Sequence, residues 1–228
     1  MKLKFSLILN NCKTYCKSCM EEYKTFFFAQ RIRSLLISMF FLLCALVLQF
    51  YAGIYSVAHA TKPLGDIFLD NIPVINLNPI IVEGALWAIL FSFILVLLKP
   101  RYIIFIIKTL TVFILVRAFF ITITHVGIYP DQIVPSLGFF DHLYVVLNLQ
   151  TGYFFSAHTG LPLLMALIFW NEKFWRYVFI FLSIVFGISV LLAHVHYSID
   201  VFAAPFMTYG IFKASEYFFK EEYKYIVN

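Results

Sequence analysis

Long apolar runs alternate with short polar stretches along the chain, and this pattern predicts the secondary structure. A helix needs about 20 apolar residues to cross the roughly 30 Å hydrocarbon core of a bilayer. Six runs approach or exceed that length, at residues 34–58, 79–98, 102–126, 153–170, 174–195 and 198–219. Backbone groups in lipid must find their hydrogen bonds within the protein, which favours helices. The pattern therefore predicts an all-α protein with six transmembrane helices.

The composition agrees with a polytopic membrane protein and argues against a soluble domain. Hydrophobic residues make up 62% of the 228 positions, and only 13% are charged. A soluble surface carries more charge than this. The formal net charge of +5 also raises the possibility of nucleic-acid binding. The basic residues, however, lie in connections between apolar runs rather than along one soluble face, so we expect no nucleic-acid partner.

The positions of the basic residues predict how the helices are oriented in the membrane. They occur in the N-terminal tail and in alternate connections, at Lys2, Lys4, Lys13, Lys17, Lys24, Arg31, Arg33, Lys99, Arg101, Lys173, Arg176, Lys213, Lys220 and Lys224. The intervening connections contain only Lys62. Since cytoplasmic loops carry the excess of Lys and Arg, both termini are predicted to be cytoplasmic. We divide the chain into a basic tail (residues 1–33), a membrane domain (34–219) and a C-terminal tail (220–228).

Three cysteines, Cys12, Cys16 and Cys19, lie close together in the N-terminal tail. A structural zinc site needs four ligands, and no further Cys or His lies nearby to complete one. A reducing cytoplasm would keep these residues as thiols. We therefore expect neither a metal site nor a cofactor.

Ionisable residues within two apolar runs are the strongest functional signal. Residues 191–201 read Leu-Leu-Ala-His-Val-His-Tyr-Ser-Ile-Asp-Val. A charge in hydrocarbon costs several kcal/mol, so such residues usually face one another or a polar cavity. If the chain is helical here, His196 and Asp200 share one face. Ser156 and His158 begin another run, and the predicted topology brings both stretches to the non-cytoplasmic side.

Two histidines and one carboxylate suit displacement at phosphorus. In this chemistry a neutral imidazole attacks, a carboxylate holds its tautomer, and a second histidine protonates the departing oxygen. We assign these roles to His196, Asp200 and His158 respectively. The arrangement is like a serine triad, except that the histidine is the nucleophile. A structural role for each residue, as an interfacial hydrogen-bonding group, is the alternative.

The same stretches resemble the catalytic motifs of a known family. Residues 191–201 look like the second catalytic motif of the sphingomyelin synthases, and Tyr-Phe-Phe-Ser-Ala-His-Thr at 153–159 looks like the first. Pro-Leu-Gly-Asp at 63–66, followed by Asp70, is similar to the first-loop motif of that family. Arg117 falls in the third predicted span, as a family arginine does.

This resemblance covers about residues 34–219 and implies membership in the broader type 2 phosphatidic acid phosphatase superfamily. It implies that the histidine–histidine–aspartate triad falls on His158, His196 and Asp200. It further implies a substrate-binding set consisting of Arg117, Ser156, Tyr197 and Asp66.

Departures from the family patterns affect the predicted substrate. The chain has Ala157 where Ser-Gly-His is usual, and Gln-Thr-Gly at 150–152 where the synthases have Cys-Gly-Asp. Where the phosphatases have Ser-Arg, this chain has Ser189-Val190. Arginine binds a phosphomonoester dianion through bidentate charged hydrogen bonds, so its loss disfavours that substrate more than a singly charged phosphodiester. We expect head-group transfer from a phospholipid to a lipid alcohol or water, with a lipid phosphate phosphatase as the alternative.

A transporter or structural membrane protein is the second alternative. In that case polar residues of the spans would form an ion path, namely Arg117, Glu83, Lys108 and His125. No inverted repeat of the kind found in many transporters is visible in the sequence.

Overall fold

The computed structural model describes Thr14, residues 17–23, residues 29–133 and residues 154–227. Within these residues the protein is helical and has no β-strand. Its helices are α1 (Ala29–Ala58), α2 (Ala85–Leu98), α3 (Ile103–Ile123), α4 (Ala157–Ile168), α5 (Lys173–Leu192), α6 (Ser198–Phe218) and α7 (Lys220–Val227). A π-helical turn, Pro79–Gly84, leads into α2, and short 3-10 turns occupy Leu69–Asn71 and Pro100–Tyr102.

Four helical stretches in the described part of the chain are long and apolar enough to cross a membrane, at Arg31–Ala58, Pro79–Leu98, Pro100–Ile123 and Lys173–Leu192. Large apolar side chains such as Phe40, Trp87 and Phe181 cover their outer surfaces. These helices confirm the all-α class and the membrane character.

Two of the predicted spans differ from those four. Helix α4 has only 12 residues, about 18 Å at the usual rise, and the start of its predicted run at Tyr153 lies outside the described residues. Helix α6 has 21 residues but is less apolar, because it carries Asp200, Lys213 and Glu216. Crossing by these two helices remains a prediction.

Close packing joins the helices that carry the site. Helix α1 lies along α3, and α4 packs against both α5 and α6. A Cβ atom at Gly160 of α4 would lie 2.9 Å from the Phe113 ring of α3 and 2.9 Å from Thr208 Oγ1 of α6. Helix α4 can approach its neighbours this closely only because Gly160 has no side chain.

Ion pairs gather at the end of the bundle where α2 meets α3. Glu172, between α4 and α5, accepts hydrogen bonds from Lys99 at 2.5 Å and from Arg101 at 3.3 Å. Lys108 of α3 pairs with Glu222 of α7, which docks the C-terminal helix at this end. Lys99 and Arg101, which the sequence analysis places on the cytoplasmic side, thus neutralise Glu172, whereas Lys108 belongs to the third predicted span.

Two loops cover the opposite end of the bundle. We call residues 59–78 and 124–133 the loop cap. Within it, Thr61 N donates to His125 O at 2.8 Å, and Gly127 approaches so closely that a Cβ atom would lie 2.3 Å from Thr61 O. Ile75 N donates to Leu192 O at 2.8 Å, so the loop cap is bound to the end of α5.

Candidate functional site

The turn between α5 and α6 holds the first part of the site. Helix α5 ends at Leu192 and α6 begins at Ser198, so His196 lies in a short connection, where the predicted runs place it, and the helical geometry considered for the His196–Asp200 pair is not the one observed. The pairing nevertheless forms, with His196 Nδ1 lying 3.4 Å from Asp200 Oδ2. The same oxygen accepts a hydrogen bond from Tyr197 N at 3.1 Å. Asp200 therefore both caps the N-terminus of α6 and holds the His196 imidazole. The helix N-terminus in turn stabilises the carboxylate.

The first turn of α4 brings His158 to this pair. The ring centroids of His158 and His196 lie 6.0 Å apart. The carbonyl group of Ile81, in the π-helical turn, accepts a hydrogen bond from the His158 ring, while His158 Nδ1 is buried without a partner among the described residues. Ser156 N donates to Asp200 O at 3.0 Å, which joins the start of α4 to the start of α6. Two motifs about forty residues apart are thus brought together.

Arg117 lies beside the His158 end of the site. Its Nε donates to Phe155 O at 3.1 Å, immediately before the α4 motif, and the side chain is partly buried. The charge of Arg117 lies close enough to act on the His158 ring. The guanidinium group thus provides positive charge next to the His158 imidazole.

Ser156 and Tyr197, both predicted to bind substrate, are occupied by backbone groups. Ser156 is fully buried, and its Oγ accepts from Thr159 N at 3.4 Å as the N-cap of α4. Tyr197 Oη donates to Gly127 O at 2.9 Å and accepts from Leu64 N at 3.2 Å. These contacts tie the site to the loop cap.

Asp66, the fourth predicted substrate-binding residue, also contacts backbone. Its Oδ2 accepts from Ser198 N at 2.7 Å, and its Oδ1 accepts from Phe68 N at 2.9 Å and Leu69 N at 3.2 Å. Burial raises the pKa of the Asp66 carboxyl, but the hydrogen bonds from Ser198, Leu69 and Phe68 outweigh it and hold that pKa below its usual value. Asp66 therefore anchors the first residue of α6 to the loop cap.

Two further polar residues near the turn were given no role by the sequence analysis. Tyr129 donates its phenolic hydrogen to Asp70, and this hydrogen bond, together with burial and the nearby carboxylates, raises the pKa of Tyr129 to about 12. The ring of His194 packs edge-on against Tyr129, with centroids 5.1 Å apart. His194 stands in the same polar motif as His196, which was the only sequence signal for it.

The residues of the transporter alternative are not gathered along one path. Lys108 pairs with Glu222 at one end of α3, whereas His125 lies beyond the other end, against His59 and Tyr55. Glu83 is exposed on the π-helical turn.

No metal site appears in the described residues, where no group of three or more His, Cys, Asp or Glu is placed to hold an ion. Cys12, Cys16, the 150–152 segment and most of the 127–151 loop lie outside the described residues. Cys19 lies with its Sγ 3.5 Å from Leu98 O.

No family model, no curated protein and no solved structure matches this chain. The functional interpretation therefore rests on the geometry of the site and on the resemblance of its motifs.

Proposed function

We propose that the protein transfers a phospholipid head group, through a phosphorus-bound histidine, to a lipid alcohol or to water. The observation that carries this proposal is the approach of His158, to 6.0 Å between ring centroids, toward the buried His196–Asp200 pair. A carboxylate on one imidazole nitrogen keeps the proton there and leaves the opposite nitrogen as the nucleophile.

The reaction has two displacements at phosphorus. First, His196 Nε2 attacks the phosphorus, the bond to the diacylglycerol oxygen breaks, and His158 gives its proton to that oxygen. Next, the hydroxyl oxygen of the acceptor attacks the phosphorus, the phosphorus–nitrogen bond breaks, and the hydroxyl proton returns to His158. Asp200 stabilises the positive charge that develops on His196 in both steps.

The charges around the site favour a phosphodiester. Val190, at the position where the phosphatases have arginine, is fully buried in an apolar cluster with Ile81 and Val82. The charge of Arg117 acts on His158, and one guanidinium suits a single negative charge better than a dianion. A lipid phosphate phosphatase with the same triad is the competing outcome of the experiment below.

The topology that we propose with this activity has six transmembrane helices and both termini in the cytoplasm. The site then faces the non-cytoplasmic side, beneath the loop cap. The basic residues at the opposite end of the bundle, including Lys99 and Arg101, support this orientation.

The test uses purified protein with phosphatidylcholine, phosphatidylethanolamine or phosphatidate, each radiolabelled at phosphorus, with and without ceramide or diacylglycerol. Products are identified by mass spectrometry, and labelled histidine is located by peptide mapping. We expect His196→Ala to abolish labelling and turnover, and Asp200→Asn to lower turnover by a factor on the order of 10⁴, as in a serine triad. His59→Ala, a histidine of the loop cap away from the triad, is the matched control.

His158→Ala gives a separate test of the acid. We expect turnover of a natural phospholipid to fall by a factor of about 10²–10⁴. A p-nitrophenyl leaving group needs less protonation and should recover part of the rate, but not in His196→Ala. Full activity of His196→Ala would refute the proposed mechanism. Release of inorganic phosphate from phosphatidate, without head-group transfer, would identify a phosphatase instead.

A further inference from the structure

The turn between α5 and α6 contains a histidine that the mechanism above does not use. His194 has a backbone φ of 54°, in the left-handed region that side chains rarely adopt. It is only 2% exposed, and neither Nδ1 nor Nε2 has a hydrogen-bond partner among the described residues. Left-handed backbone and an unpartnered buried imidazole both cost stability.

Such costs are concentrated at functional sites, because a residue without a function there is readily replaced. Glycine would remove both costs at this position, since it adopts positive φ without strain and has no polar side chain. For the fold, the imidazole supplies the edge-on contact with Tyr129 and no hydrogen bond among the described residues. It does bring one donor and one acceptor, two residues away from His196.

The surroundings of His194 indicate which part of a substrate it meets. Its ring packs against Tyr129, whose hydroxyl group is bonded to Asp70. The carboxylates of Asp131 and Asp66 also act on Tyr129. An anionic phosphate is disfavoured next to these carboxylates, and Arg117 offers it positive charge beside His158. A neutral hydroxyl group is not repelled by these carboxylates.

We propose that His194 is a positioning residue that binds the hydroxyl group of the acceptor, water or a lipid alcohol. This inference rests on the proposed function. His194 donates an N–H hydrogen bond to the hydroxyl oxygen and holds it for attack on the phosphorus carried by His196. The proton of the hydroxyl group passes to His158, so His194 itself undergoes no change of protonation.

The test compares His194→Gly with the unmodified protein, using the radiolabelled phospholipids named above. The first displacement does not involve His194, so labelling of His196 should proceed at the normal rate. Acceptor-dependent turnover should fall on the order of tenfold to a hundredfold, with a higher KM for the acceptor and an unchanged kcat/KM for the phospholipid. The melting temperature in detergent should change little, because relief of the left-handed backbone offsets the loss of the buried ring.

His194→Asn is the second variant, because asparagine tolerates positive φ and keeps a hydrogen-bond donor. It should recover part of the turnover lost in His194→Gly. Normal acceptor-dependent turnover in His194→Gly would overturn the inference, and so would equal losses of labelling and turnover. Failure to label His196 in the unmodified protein would overturn the proposed function, and this inference with it.

Discussion

Replacing Asp66 by alanine tests how the loop cap holds the turn between α5 and α6. The change removes a carboxylate that accepts hydrogen bonds from Ser198 N at 2.7 Å, Phe68 N at 2.9 Å and Leu69 N at 3.2 Å. Hydrogen bonds to a charged group contribute about 1.5–3 kcal/mol each, and loss of a helix cap costs about 0.5–2 kcal/mol. Phe68 N and Leu69 N, the two donors close to Asp66 in the sequence, can partly form hydrogen bonds with water instead. We therefore expect a loss of about 2–4 kcal/mol in the free energy of unfolding.

Tryptophan fluorescence during heating in detergent measures this loss. For a chain of this size, 1 kcal/mol corresponds to about 2–4 °C, so the melting temperature should fall by about 4–16 °C. Asp66→Asn retains one acceptor oxygen and should lie between the two proteins. Asp131→Asn, an exposed carboxylate of the same loop cap, is the control and should change the melting temperature little.

The effect of Asp66 should also depend on pH. Its pKa is lowered in the folded protein, so its stabilisation is fully present above the ordinary carboxyl pKa of about 4. That stabilisation is lost as the pH falls through the lowered pKa. The difference between Asp66→Ala and the unmodified protein should therefore shrink in acid. A raised KM for phospholipid with an unchanged melting temperature would refute this reasoning and support the substrate-binding role predicted from sequence.

Two further predictions concern packing and topology. Gly160→Ala should lower the melting temperature, because the new Cβ would lie 2.9 Å from Phe113 and Thr208. The control is Gly210→Ala in α6, where nothing lies within 4 Å, and it should leave the melting temperature equal or raised. Equal effects of the two changes would show that α4 can move away from its neighbours. A protease-sensitive tag inserted in the 127–151 loop should be cut from outside sealed cells, and tags at Met1 and Asn228 should not; the reverse result would refute the argument from basic residues.

Hydrophobic patterning was sufficient to predict the helices but not where they end. The third run was expected to continue to residue 126, yet α3 ends at Ile123. The fifth was expected to reach residue 195, yet α5 ends at Leu192. Past α5, Ala193 and Val195 are buried in the turn, and past α3, Val126 packs against the cluster of Leu69, Tyr129 and Tyr197. Hydropathy records burial and does not distinguish a buried helix from a buried turn.

The grouping of His158, His196 and Asp200 was predicted from the spacing of the polar residues and from the number of membrane crossings between them, which puts both stretches on the same side of the membrane. In apolar surroundings these side chains have few other polar groups to bind, so they are expected to bind one another. This part of the site therefore follows from local chemistry. The pairing was predicted on the condition of a helix through both residues. In the structure, Asp200 instead reaches His196 in the preceding turn from the N-terminus of α6.

The structural partners of Asp66, Tyr197 and His194 were decided by the tertiary structure alone. Asp66 lies about 130 residues before the Ser198 amide that it binds, and Tyr197 lies 70 residues after the Gly127 carbonyl group. A sequence shows that a carboxylate or a hydroxyl group needs a partner, but many backbone groups satisfy that need equally well. The choice depends on how the loops close over the bundle. The positive φ of His194 likewise follows from the reversal between two packed helices, which no local preference of histidine requires.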